Sequence, residues 1–150
     1  LVEVQALTSP SVTPAPRRTA NGLDINRLLL VSAVLSRRLG ESLAQQDIIT
    51  SVVGGLRVSE PPADLALAMA IVSSQKDRPV PGDLVAFGEI GLSGELRSVA
   101  HLERRLNEAE RLGFKRCLLP EANLRRGTPK TSIELLPAAT LRDAIRKGLE

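Results

Sequence analysis

An α/β (α+β) fold, a mixed sheet packed with about four helices, is predicted by three features of the sequence. The opening stretch alternates Val2, Val4 and Ala6 with Glu3 and Gln5, the period of a half-buried strand. Four later stretches place apolar residues at helical spacing between helix start and stop signals. Strand-like and helix-like stretches follow one another without regular βαβ alternation, which favours a two-layer mixed arrangement over a doubly wound one.

In order along the chain, residues 8–22 (TSPSVTPAPRRTANG) hold three prolines among small polar residues and read as a long Pro-rich loop or arm. Asp24 is a candidate N-cap for the helix INRLLLVSAVLSRRL, and Gly40 ends it, with Arg37 and Arg38 in the last turn. Ile25, Leu28, Leu29, Val31, Val34 and Leu35 make this helix apolar on most faces, so it is expected to pack on two sides. DIITSVVGG reads as a strand, with GLRVSE as its continuation or partner beyond Gly54 and Gly55. A buried helix over 61–75 opens on Pro61 and Pro62, which are tolerated because first-turn amides have no intrahelical partner. Its free N-terminal amides and dipole are expected to favour anions.

Beyond the turn KDRPVPGD, LVAFGEI and GELRSV form two strands close to a hairpin around Gly91 and Gly94. HLERRLNEAERLGF is an amphipathic helix with Leu102, Leu106, Ala109 and Gly113 on one face, and Arg104, Glu108 and Arg111 opposite. KRCLLP and SIELLP are strands separated by the loop EANLRRGTPKT, and ATLRDAIRKGL closes the chain as a helix with Thr140 as its cap.

With 150 residues, 43% of them hydrophobic and 25% charged, the whole chain 1–150 is expected to form one globular domain with a sizeable core. No run approaches the ~18 apolar residues of a membrane span. Leu1 opens directly on the strand pattern, so the chain is expected to be a piece of a longer protein without a targeting signal. A single cysteine and a single histidine leave no disulfide and no Cys/His zinc cluster within the chain, which suits a reducing cytoplasm. Cys117, in the apolar run CLLP, reads as a buried inert thiol.

The chemistry that remains is weak. Gly88, Gly91 and Gly94 lie between strands rather than opening a helix, which argues against a phosphate loop. His101 starts a helix with no second ligand near it in sequence, and Asp24, Asp64, Glu89 and Glu95 read as caps and strand ends. No catalytic constellation emerges. The net charge of +3 is uneven: residues 101–150 hold 11 basic and 7 acidic residues, and Lys115, Arg116, Arg125, Arg126 and Lys130 are countered within 115–130 only by Glu121. Such a run suits phosphate binding as well as a solvated face.

Three stretches carry a family resemblance: GGLRVSEPPADLALAMA, VAFGEIGLSGELRSVAHLERRLNEAERLGFKRCLLPEAN and RRTANGLDINRLLL. The first two resemble the proteolytic domain of Lon, which hydrolyses peptides with a Ser-Lys dyad. PPAD stands where that family has Pro-Ser-Ala-Gly, and AHLE where it has Gly-Gly-Leu-Lys, so Pro62 and Glu103 occupy the two dyad positions. Ser59, Ser73 and Lys76 stand elsewhere in the pattern and are not expected to rebuild a dyad.

All three together resemble the C-terminal Lon-like domain of the bacterial RadA (Sms) family of RecA-like DNA-repair proteins. The resemblance implies a fold related to the second domain of ribosomal protein S5, and a hexameric ring acting in recombination and branch migration. It also implies an upstream zinc-binding segment and a RecA-like ATPase, so ATP, Mg and Zn belong to parts outside this chain, which itself needs no cofactor. DNA, a second copy of the chain and that upstream ATPase are then the expected partners, with no membrane. Arg17, Arg18, Arg57, Arg104, Arg105, Arg125, Arg126 and Lys130 are the candidate phosphate contacts, and two Phe with no Trp or Tyr leave little for base stacking. The alternative expectation is a purely structural oligomerisation domain.

Overall fold

The computed structural model describes residues 1–149. Its eight strands and four α-helices make a mixed α/β architecture in which the strands divide among three small sheets. In the first, β3 (Gln46–Val52) lies between β1 (Val4–Pro10), antiparallel to it, and β2 (Arg18–Asn21), parallel to it. The second is all parallel, with β7 (Arg116–Pro120) between β4 (Leu84–Ala86) and β8 (Glu134–Ala138). A two-stranded hairpin, β5 (Glu89–Ile90) and β6 (Leu96–Arg97), completes them.

Helix α1 (Ile25–Leu39) begins and ends as its sequence dictates: Asp24 accepts from the Asn26 amide, and Gly40 closes it in the left-handed conformation. Helix α2 (Asp64–Lys76) is the centre of the molecule. It packs against β1, α1, the closing helix α4 (Leu141–Leu149), β4 and β5, and buries Leu65, Leu67, Ala68, Met69, Ile71 and Val72. A helix buried on so many sides must be apolar all round, which is why its sequence shows no stripe.

The parallel sheet shows the period-2 rule on both faces. Leu118, Ala86 and Leu136 face the core around α2, whereas Cys117, Leu119, Val85 and Leu135 face a second cluster. That cluster is closed by α3 (Leu102–Arg111) through Leu106 and Ala109.

Four expectations are revised. The Pro-rich arm is shorter than 8–22, because β1 runs on to Pro10 and Arg18–Asn21 pairs with Ile48–Ser51; the mixed sheet gains a strand that composition concealed. GLRVSE makes a single bridge, Val58 to Leu23, rather than a strand. LVAFGEI breaks at Phe87–Gly88 into β4 and β5 of different sheets. Helix α1 leaves Ile25 and Leu29 exposed at 41% and 47%, so its outer side is uncovered.

Gly22 shows how closely the loop after β3 lies on β2. Its φ is +82°, the Val58 amide donates to its carbonyl at 2.6 Å, and an added Cβ would stand 2.4 Å from the Leu56 carbonyl oxygen. Gly22→Ala is therefore expected to cost at least about 1–2 kcal/mol from the left-handed backbone alone, read as a lowered urea midpoint with unchanged slope; an unchanged midpoint would show that the loop moves aside freely.

Candidate nucleic-acid interface

The start of α2 comes first, since a Lon-type nucleophile would stand there. Pro61–Ala63 form a 3₁₀ turn that leads into the helix. Pro61 and Pro62 have no amide hydrogen. The amides that follow are engaged: Ala63 donates to the Glu60 carbonyl, Asp64 to that of Pro61, and Leu65 to that of Gly88 at 3.1 Å, while the Gly88 amide returns a bond to Pro62 at 2.9 Å. Of the amides expected to be free at this helix start, two are thus taken up within the turn and the third by the β4–β5 connection. Glu103 is exposed on α3. Ser73 donates to the Arg78 carbonyl and Lys76 pairs with Glu41 at 3.2 Å, so neither is held for the other.

Sequence reading placed Asp64 among the caps, and the structure places it in a buried ion pair. Its carboxylate, 1% exposed, accepts from Nε and Nη2 of Arg27 and from the Ile90 amide at 3.1 Å. The hydrogen bonds it donates to Asp64 raise the pKa of the Arg27 guanidinium above the ordinary arginine value. A legible signal existed: α1 and α2 are the two most apolar helices, and each carries one charge of opposite sign on a core face.

The eight basic candidates separate by what their side chains touch. Arg18 is taken up internally, donating to the carbonyls of Leu43 at 2.9 Å and of Gln46, and burial pulls its pKa down. Arg105 donates to the Ala100 carbonyl at 2.9 Å, lies 3.9 Å from Glu60 and stacks over Phe87 at 5.7 Å. Part-buried as well as bonded, these two are withdrawn as phosphate contacts. Arg17 is exposed at the far end of the first sheet, where its amide donates to Asp47 at 2.7 Å. Arg57 is exposed on the rim of an open groove of about 930 Å³ between the end of β2 and the loop after β3.

Arg104, Arg125, Arg126 and Lys130 are all exposed and make no salt bridge among the described residues. Glu108, one turn on from Arg104, pairs with Arg111 at 2.8 Å. Two anchors lay the β7–β8 connection along α3: Asn123 exchanges hydrogen bonds with the Val99 backbone at 3.0 and 2.8 Å, and Glu110 accepts from the Ser132 amide at 3.0 Å. Leu124 packs into the cluster beneath α3. Arg104 on the helix and the basic run 125–130 on the connection are thus both exposed, and Glu110 ties the connection to α3.

Residues 31–123 match the family model described as Subunit ChlI of Mg-chelatase, and the chain belongs to that family. The chain is 47% identical over 145 residues to DNA repair protein RadA of Escherichia coli K12, covering 97% of the chain and 31% of that protein. It is 45% identical over 150 residues to DNA repair protein RadA of Bacillus subtilis 168, covering 99% and 32%, and 50% identical over 122 residues to DNA repair protein RadA of Aquifex aeolicus, covering 81% and 28%. The chain spans about a third of the length of these relatives and corresponds to their C-terminal part, which bears out the resemblance to the RadA family. No helix among the described residues is long and apolar enough to cross a membrane.

Two outcomes follow from this geometry. Arg27→Ala leaves a buried carboxylate unpaired and is expected to lower stability by about 3–5 kcal/mol, whereas Arg27→Met with Asp64→Leu restores most of the loss; equal losses in single and double variants, by urea unfolding, would contradict the pairing. Burial pushes the Cys117 thiol up to about 12 from 9.0. The folded thiol keeps its proton where the unfolded one ionises, so the term is constant below pH 9 and reduces stability as pH rises from about 9 towards 12. Native chain should accordingly resist a disulfide reagent at pH 8 until it is unfolded.

Proposed function

We propose that this domain binds the phosphate backbone of DNA through the face built by α3 and the β7–β8 connection, as the C-terminal part of a cytoplasmic DNA-repair protein. The observation that carries the reading is that Arg104 on α3 and Arg125, Arg126 and Lys130 on the connection tied to it at Glu110 are all exposed, with no salt-bridge partner among the described residues. Guanidinium and ammonium groups held in water by such a loop attract phosphates without selecting bases. The relatives are named for DNA repair, which supports the choice of ligand.

No Ser-Lys hydrolysis is proposed. Pro62 has no hydroxyl, Glu103 is a carboxylate, and the amides that would hold an oxyanion are engaged. The Lon-like relationship of the fold is retained on the motif resemblance. From the same resemblance, the upstream part of the longer protein is proposed to carry the zinc segment and the ATP- and Mg-dependent RecA-like ATPase, with this domain supporting a hexameric ring and branch migration.

A second reading, an assembly domain without DNA contact, is favoured by one observation. Leu7 and Ile49 are register partners on the outer face of the first sheet, exposed at 60% and 45%, with Val53 and Leu56 exposed nearby in sequence. Gel retardation and light scattering separate the two readings. Arg125→Glu with Arg126→Glu is expected to weaken duplex binding and to make the slope of log K against log salt shallower by about 2. A ring that never retards DNA at low salt would leave assembly as the function.

A further inference from the structure

The run 115–130 stands out in the sequence, but the fold gathers another set of arginines from two distant places. Arg37 and Arg38 end α1, Arg142 opens α4, and the turn Gly91–Glu95 between β5 and β6 fits between them. Arg142 donates to the Arg38 carbonyl at 2.8 Å, and Arg38 donates to the Leu92 carbonyl at 3.2 Å. The Leu141 amide donates to the Gly94 carbonyl at 2.8 Å, and Gly94, at φ +83°, lies under the stem of Arg38, where an added Cβ would meet it at 3.6 Å. These bonds fix the position of the cluster relative to the hairpin.

The carboxylates closest by connectivity are already engaged. Glu95 holds Arg97 at 3.2 Å and the Ser93 amide at 3.0 Å, and Asp143 holds Lys147 at 3.0 Å together with Arg146. Arg37, Arg38 and Arg142 make no salt bridge among the described residues, and all three are exposed. The tip of the turn offers Leu92, 69% exposed, and no acidic group.

We infer that Arg37, Arg38 and Arg142 form a second phosphate-binding surface for nucleic acid, separate in the sequence from the α3 face and built from the ends of two helices around the β5–β6 turn. Guanidinium groups match phosphate oxygens in pairs, and an exposed set in which Arg38 and Arg142 are positioned by carbonyls, with Arg37 next in the helix, suits a continuous backbone better than a small enclosed ligand. Contact with a second copy of the chain is the competing outcome, which the test below separates. The inference rests on the nucleic-acid reading above and extends its footprint.

The test is fluorescence anisotropy of the 150-residue chain on a labelled duplex of mixed sequence across a salt series. Arg37→Glu with Arg142→Glu is expected to bind about 10-fold more weakly at low salt and to lose about 2 from the salt slope. Phenylglyoxal labelling of the unaltered chain, read by mass spectrometry, needs no variant: duplex should shield Arg37 and Arg142. If Arg125→Glu with Arg126→Glu weakens binding while the 37/142 pair changes neither affinity nor slope, and both arginines label freely under duplex, this surface is not a nucleic-acid site and the α3 face stands alone. A 37/142 variant that alters only oligomer mass would assign the cluster to a protein contact and overturn the inference. No binding by the unaltered chain would sink both readings.

Discussion

The ion pair between Arg27 and Asp64 joins what the rest of the structure is arranged around. It ties α1 to the first turn of α2, and through the Ile90 amide it ties both to the hairpin that begins β5. A carboxylate in a helix's first turn is favoured by the macrodipole, so the pair also fixes which end of α2 meets the hairpin. Apolar packing is non-directional, and α2 is buried on several sides by residues of similar size. The pair supplies the one direction that such packing lacks.

From that anchor the two basic faces take their places. The hairpin positioned by Asp64 carries the turn over which Arg38 and Arg142 meet. The parallel sheet beneath it carries β7, whose far face seats α3 and the connection 125–132. Each face is built at the ends of elements whose interiors are core, so the charged tips are exposed while their backbones are held. Arg18 and Arg105 show the other use of the same residue type, bonded to carbonyls and, for Arg105, a ring.

Much of the fold was legible in the sequence, and the failures have physical causes. Caps at Asp24, Gly40 and Thr140 were readable because a cap is a local interaction within a few residues. The strand Arg18–Asn21 was not, because its four residues gain their order from Ile48–Ser51, some thirty positions away. Of the candidate site, the run 125–130 announced itself by adjacency. The withdrawal of Arg18 and Arg105 and the meeting of Arg38 with Arg142 depend on contacts that no local pattern encodes. Asp64 fell between the two: its oddity within an apolar helix was visible, its partner was not.

The double proline and Gly88 give the region before α2 a property that side chains alone do not express. Two donors are missing by chemistry and the next three are tied into the 3₁₀ turn or the neighbouring connection. A serine written into position 62 and a lysine into 103 would return two functional groups beside three amides that already have acceptors. The main chain at this helix start is thus committed to the β4–β5 connection through Leu65 and Gly88, and exchanging side chains alone would leave that commitment in place.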